Sequence, residues 1–306
     1  MVTPNETTNA DTIRQNLIAA EPPRRPGMVK YTLYYFRHKL LGTVGLVICT
    51  IMILMAIFAD VIAPYTYQEQ NYSAVLAAPS TDFLFGTDNF GRDIFSRVVH
   101  GARISMLVGF LAVIVGTGVG AIVGLISGFF MGKLDAVVQR VVDAWMSFPD
   151  LILALTIVAV FGNTVPNVIL AIAATILPRG VRVIRSSTIA IREMDYTMAA
   201  RSIGASDLRT MFRHIMPNTV APFLIIMSSM FGTAILTEAG LSYLGLGISE
   251  PTPSWGRMLT GQAAQYAPSA PWILAFPGFF ITVTVMGFAF FGDALRDLFD
   301  PRLRGR

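Results

Sequence analysis

Long uncharged runs alternate with short polar connections along this chain, and their lengths predict helices that cross a lipid bilayer. Leu40 to Ala59 is twenty residues without a charge, enough at a rise of about 1.5 Å per residue to cover a hydrocarbon core of about 30 Å. By the same measure spans are expected at about 40–60, 104–131, 218–240 and 272–292. Between 136 and 190 the apolar run is broken by Asp143, Pro149, Asp150 and Pro178. Two helices are read there, about 138–161 and 166–186, hinged at "FGNTVPN". Six spans result.

Within the second span glycines fall at 116, 120, 124, 128 and 132, a four-residue spacing that makes one slowly winding ridge on a helix. Lipid supplies no apolar driving force between helices, so small residues let backbones approach and van der Waals contact hold them. The ridge predicts tight packing against a neighbour, or a contact that slides between conformations.

Composition agrees with the spans. Of 306 residues 54% are hydrophobic and 14% charged, and the mean hydropathy is +0.60, which together describe an integral membrane protein. The single Cys49 excludes a disulfide framework and a cysteine metal site. Residues 1–30, with "EPPRRPG", read as a flexible tail ahead of the membrane domain at 31–306. The first apolar run exceeds the usual 7 to 15 residues of a signal peptide and follows a polar tail, so it is read as an uncleaved span.

A net charge of +4 raises the question of nucleic acid, but in a membrane chain the placement of Lys and Arg matters more than their sum. Six lie in the N-terminal tail, two in the 2–3 connection, seven about the 4–5 connection and four in the C-terminal tail; the alternate loops hold four in all. That bias sets both termini and the 4–5 connection on the cytoplasmic side, and no nucleic-acid role is assigned. "SGFFMGKL" is a near miss to a phosphate-binding loop, since Ser127 stands where Gly is needed and Leu134 where Ser or Thr is needed.

The 4–5 connection is the most elaborate polar stretch, "YTMAARSIGASDLRTMFRHIMPN" at 196–218. Ile189 to Ile203 predicts a helix, stopped where Gly204 takes a left-handed turn. Ser206 and Asp207 supply an N-cap and first-turn acid for a second helix. In it Leu208, Met211, Phe212 and Ile215 recur at helical spacing, with Arg209, Thr210, Arg213 and His214 on the other face. Pro217 marks the start of the fifth span, where a missing N–H costs little. The segment is read as an amphipathic helix on the inner membrane surface, in contact with lipid headgroups. Ala199 and Ala200 beside the turn leave backbone bare for a docking partner.

The order Ala199, Ala200, three residues, Gly204, then a helix reaching Pro217 resembles the cytoplasmic coupling motif of bacterial ABC-importer permeases. Met198 replaces the motif glutamate, and His214 and Met216 replace its isoleucine and leucine. "FGTDNFGRDIFSRVVHGARIS", "LTEAGLSYLGLGISEPTPSWGRML" and "GDALRDLFDPRLR" add similarity to the dipeptide, oligopeptide and nickel subgroup, and to its C-type subunit. The resemblance implies an all-α integral membrane fold of the type I ABC importer permease kind, with six transmembrane helices, cytoplasmic termini and a coupling helix between spans 4 and 5. Its implied partners are a second, homologous permease, two ATP-binding subunits and an extracytoplasmic substrate-binding protein in a bacterial inner membrane. ATP and Mg would bind those ATPase subunits, with no cofactor, metal or catalytic residue on this chain. The coupling surface would comprise Ala199, Ala200, Arg201, Gly204, Ala205, Ser206, Asp207, Arg209 and Pro217.

Other polar positions have two readings each. Asp143 and Asp150 near the inner half of the third span, and Glu238 near the outer end of the fifth, are costly to desolvate; they line a watery path or interface, or couple protons. Phe95, Val98, Val99 and Ala102 recur at helical spacing and predict a short amphipathic helix on the external face. With Asp88, Arg92 and Asp93 it would form packing, or a gate or docking surface for the binding protein. Trp255 in "EPTPSWGRML" is read as an interface anchor and a second docking element. An intramembrane protease is disfavoured because His38, His100 and His214 all fall outside the spans. A proton-coupled secondary carrier is the alternative, although no internal repeat is visible.

Overall fold

The computed structural model describes residues 40–260 and 262–299; the expected tail at 1–30 and Arg302, Arg304 and Arg306 lie outside this range. Five helices are long and apolar enough to cross a bilayer, and a bent helix pair makes a sixth candidate. They are α1 (Leu40–Ile57), α3 (Ile94–Phe130), the pair α4 (Gly132–Met146) and α5 (Asp150–Phe161), α6 (Val165–Arg192), α8 (Asp207–Tyr243) and α11 (Trp272–Phe299). Short helices join them: α2 (Ala59–Ile62), α7 (Asp195–Ser202), α9 (Trp255–Met258) and α10 (Gln262–Tyr266). Among the described residues the β pairing is a single bridge, Thr87 to Asp93.

The glycine ridge sets how these helices pack. A Cβ on Gly116 would stand 2.6 Å from the carbonyl oxygen of Ala173, on Gly120 2.6 Å from that of Leu177, on Gly124 2.5 Å from that of Val181, and on Gly128 2.8 Å from that of Arg185. Both series climb in steps of four, so α3 and α6 run parallel and in register, backbone against backbone. Gly132 continues the spacing in sequence but not in space. It lies past the end of α3 with φ +62, and a Cβ there meets nothing within 4 Å.

Parallel helices require the chain between them to return, and α4 with α5 makes that return. The expected smooth span at 138–161 is instead bent by 87° between Met146 and Asp150. Proline at 149 disfavours helical backbone at Phe148, and the Ser147 hydroxyl donates to the Ala144 carbonyl at 2.7 Å, closing the last turn of α4. By contrast α6 runs through Pro178 as one helix.

A second correction concerns α3. The expected external helix and second span are one helix of 37 residues, begun by Asp93, whose Oδ2 accepts from the Ser96 N–H at 2.7 Å. Val98, Val99 and Ala102 are fully buried in the main core, so this apolar face meets protein rather than the membrane surface. Elsewhere α1 lies on α11 through another close approach: a Cβ on Gly45 would stand 2.6 Å from the Phe291 nitrogen, and one on Gly287 2.4 Å from a methyl of Ile48.

Gly120→Ala should therefore force α3 away from α6 and cost about 1–3 kcal/mol of overpacking. The readout is a lowered unfolding midpoint in detergent. Gly118, where a Cβ meets nothing within 4 Å, should accept Ala with no loss.

Candidate functional site

At the end of the bundle formed by residues 131–135 and 193–215, the 4–5 connection is anchored rather than loose. The predicted helix Ile189–Ile203 breaks after Arg192, and α7 begins at Asp195. Thr197, fully buried, donates its hydroxyl to the Ile191 carbonyl at 2.9 Å, which pins α7 across the end of α6. α7 then stops as expected. Gly204 has φ +87; its N–H donates to Arg201 O at 2.9 Å and the Ala205 N–H to Ala200 O at 3.0 Å. This is the paired closure of a left-handed glycine cap. Ala200 is buried and Ala199 exposed, so the two alanines face different ways.

Ser206 then caps α8, its Oγ accepting from the Arg209 N–H at 3.4 Å. Asp207 and Arg209 stay exposed in the first turn. Beyond them Thr210–Ile215 is wound as π-helix, and the Met216 N–H reaches Met211 O. Pro217 follows immediately. A proline lacks the N–H that α geometry would use and crowds the preceding turn, and a π-turn relieves both. The fifth span thus does not begin at Pro217; the helical path runs unbroken from Asp207 to Tyr243.

The π-turn also divides the predicted apolar face. Met211 and Ile215 pack with Leu125, Phe129, Ile184 and Ile191 in a small core that joins the connector to α3 and α6. Leu208 and Phe212 are left exposed, as is Ile203 at 88%. Arg201 lies with its guanidinium 4.9 Å from the Phe129 ring centroid, a further tie from α7 to α3.

Asp143 and Asp150 belong to a ladder of ion pairs between α4–α5 and α6. Arg185 reaches Asp135 with Nε and Nη2, both at 2.6 Å, Arg182 reaches Asp143 at 2.6 Å, and Arg179 reaches Asp150 at 2.5 Å. Asp135 also accepts the Ser127 hydroxyl at 2.5 Å, so one carboxylate ties α3, α4 and α6. The three arginines recur every third residue on α6. Their spacing was the signal for this row, but charge counting placed them with the loop. The Asp143 and Asp150 pairs are substantially exposed, and such pairs contribute about 0–1 kcal/mol each.

Glu238 sits at the opposite end, fully buried. Its Oε1 accepts the hydroxyls of Ser242 at 2.9 Å and Ser254 at 2.8 Å, and Ser105 Oγ stands 3.5 Å from Oε2. Trp255, expected as an interface anchor, has no exposed surface. Its indole N–H donates to Val98 O at 2.9 Å and its backbone N–H to Ser105 Oγ at 3.2 Å. It wedges the 5–6 connection onto α3 instead of facing lipid or a docking partner. Asp88, Arg92 and Asp93 are likewise buried: Arg92 Nε donates to Asp88 at 2.6 Å and Asp93 caps α3. Nearby, Arg103 donates to the exposed Asp60 at 2.9 Å and holds its carboxyl below the usual carboxylate range. Among the described residues no group of His, Cys, Asp and Glu is arranged to hold a metal ion.

Known proteins resemble the chain along nearly its whole length. Residues 120–305 match the family described as the binding-protein-dependent transport system inner membrane component. Residues 27–79 match the N-terminal transmembrane domain of oligopeptide transport permease C. A dipeptide transport system permease of Alkalihalophilus pseudofirmus is 42% identical over 296 residues, 94% of this chain and 97% of the relative. A glutathione transport system permease of Escherichia coli O157:H7 is 38% identical over 297 residues, 95% and 98% respectively.

The Glu238 cluster generates a stability test. Glu238→Ala leaves two serine hydroxyls without their acceptor and opens a void, at a cost of about 2–5 kcal/mol. Glu238→Gln keeps an acceptor oxygen and should cost much less. Thermal unfolding in detergent checks the ranking, and equal tolerance of both would contradict a clamp.

Proposed function

Because the chain belongs to the binding-protein-dependent inner membrane components, in the oligopeptide-permease branch, we propose that its 195–217 connector is the surface through which ATP hydrolysis on a partner moves the spans. The protein is a permease subunit of an ATP-driven importer and a multi-pass protein of the bacterial inner membrane. Family membership decides against the secondary-carrier reading.

The connector carries the proposal through one observation. Ile203, Leu208 and Phe212 present an exposed apolar surface around Gly204, on a segment whose other side is locked into the core with α3 and α6. Apolar side chains held out from a rigid base suit a groove on a protein partner, since force passes through packed elements. The basic bias of the connection supports a cytoplasmic position for this face. There two ATP-binding subunits would hold ATP and Mg, while a second, homologous permease would complete the translocation path. An extracytoplasmic binding protein would deliver the cargo to the opposite end, where the buried Asp88–Arg92 pair and the Trp255 wedge stiffen the receiving surface. The cargo class is small peptides, in keeping with the dipeptide and glutathione permeases that the chain resembles.

Within the coupling set, Gly204, Ala205, Ser206 and Asp207 shape the turn, and Ala200 packs it inward. Ala199 and Arg209 are exposed beside the partner surface. Arg201 ties the connector to α3, and Pro217 follows the π-turn within α8.

Gly204→Leu tests this. The site is open, with nothing within 4 Å, but φ +87 strains any side chain by about 1–2 kcal/mol. The importer should still assemble in proteoliposomes and hydrolyse ATP, while uptake falls and hydrolysis no longer responds to liganded binding protein. Uptake at the parent rate would contradict the proposal.

A further inference from the structure

A cavity of about 490 Å³ opens at the end of the bundle opposite the connector, between residues 88–97 and the connection from α8 to α11. Arg92, Arg97 and Arg257 line it, against the two acids Asp88 and Glu250. The acids satisfy these arginines unevenly. Asp88 Oδ1 accepts the N–H groups of Phe90 at 2.8 Å and Arg92 at 3.0 Å, and its Oδ2 accepts Arg92 Nε at 2.6 Å. Arg97 Nε stands 3.8 Å from that oxygen, beyond hydrogen-bond reach. Arg97 gives Nη1 to the Tyr67 carbonyl at 3.0 Å and is otherwise a buried cation with donors to spare. Arg257 has no hydrogen bond or ion pair on its guanidinium among the described residues.

The backbone of Arg257 is nonetheless fixed. Its N–H donates to Ser254 Oγ at 3.2 Å, and the Ser254 hydroxyl is held by buried Glu238. A free guanidinium on a rigid turn, beside a second with unused donors, is preorganised for a planar anion with two oxygens. The volume lies within the usual range of small-ligand pockets, about 300–1,000 Å³.

We propose that this cavity is a subsite for the carboxylate of a small peptide on its way through the importer, gripped by Arg257 with Arg97. The inference rests on the proposed function, since only a peptide permease is offered such a ligand. Arg92, committed to Asp88, orders the wall and is not a ligand.

The test uses the assembled importer in lipid nanodiscs without its binding protein, with dialanine and dialanine amide as probes. Dialanine at millimolar concentration should raise the unfolding midpoint of the parent complex, and the amide should not. Arg257→Ala, which removes a side chain without partners and so spares the fold, should weaken the dialanine response about ten-fold or more; Arg257→Lys should weaken it less. Equal responses to acid and amide, or an unchanged response in Arg257→Ala, would overturn the subsite. So would a variant that loses capture of the binding protein while keeping the peptide response, because the arginine would then serve docking. Uptake through the binding protein, measured with the same parent and variant complexes in proteoliposomes, separates the two readings. Uptake by the parent without carboxylate dependence removes the subsite alone, and its absence in the parent removes the proposed function.

Discussion

The backbone contact between α3 and α6 is the constraint on which the remaining structure depends. In a bilayer, apolar side chains gain nothing by leaving lipid for protein, so close packing must hold helices together. Four glycines in register bring α3 onto the carbonyls of Ala173, Leu177, Val181 and Arg185. Both ends of the pair then become platforms. One end receives Met211 and Ile215 of the connector; the other receives Trp255 and, through Ser105, the Glu238 cluster.

Against this rigid pair, α4 and α5 are held differently. Their bend leaves them in contact with α6 through a row of carboxylate–guanidinium pairs, two of them well exposed. Only the Asp135 node is well sheltered, and it lies beside the connector. The molecule therefore combines a stiff element running from end to end with a bent element fastened by weaker contacts. That division suits the proposed coupling, in which spans would move relative to one another while one of them stays fastened to a partner ATPase.

Much of this was written plainly in the chain. The four-residue glycine spacing identified the packing ridge, and the Gly204 stop with its Ser206 cap identified the connector's turn, because both depend on local backbone chemistry. Misreadings arose where tertiary contact overrode a local pattern. Phe95 to Ala102 has the periodicity of a surface helix, but its apolar side is covered by the 5–6 connection, which periodicity cannot reveal. Trp255 resembles an interface anchor until Val98 and Ser105 supply its hydrogen bonds from about 150 residues away. The π-turn before Pro217 and the 87° bend before Asp150 both follow from proline, whose position was evident though the geometry it selects was not. Arg179, Arg182 and Arg185 were counted as topology signals; their spacing alone did not say that three aspartates face them.

The central claim is that the connector and α3 move as one body. Spin labels at Ile122→Cys on α3 and Asp195→Cys on α7, both exposed positions, with buried Cys49 replaced by serine, measure this in the assembled importer. The account predicts one unchanged distance distribution in the nucleotide-free and ATP-bound states. A shift between those states by a helical turn, about 5 Å, would contradict it.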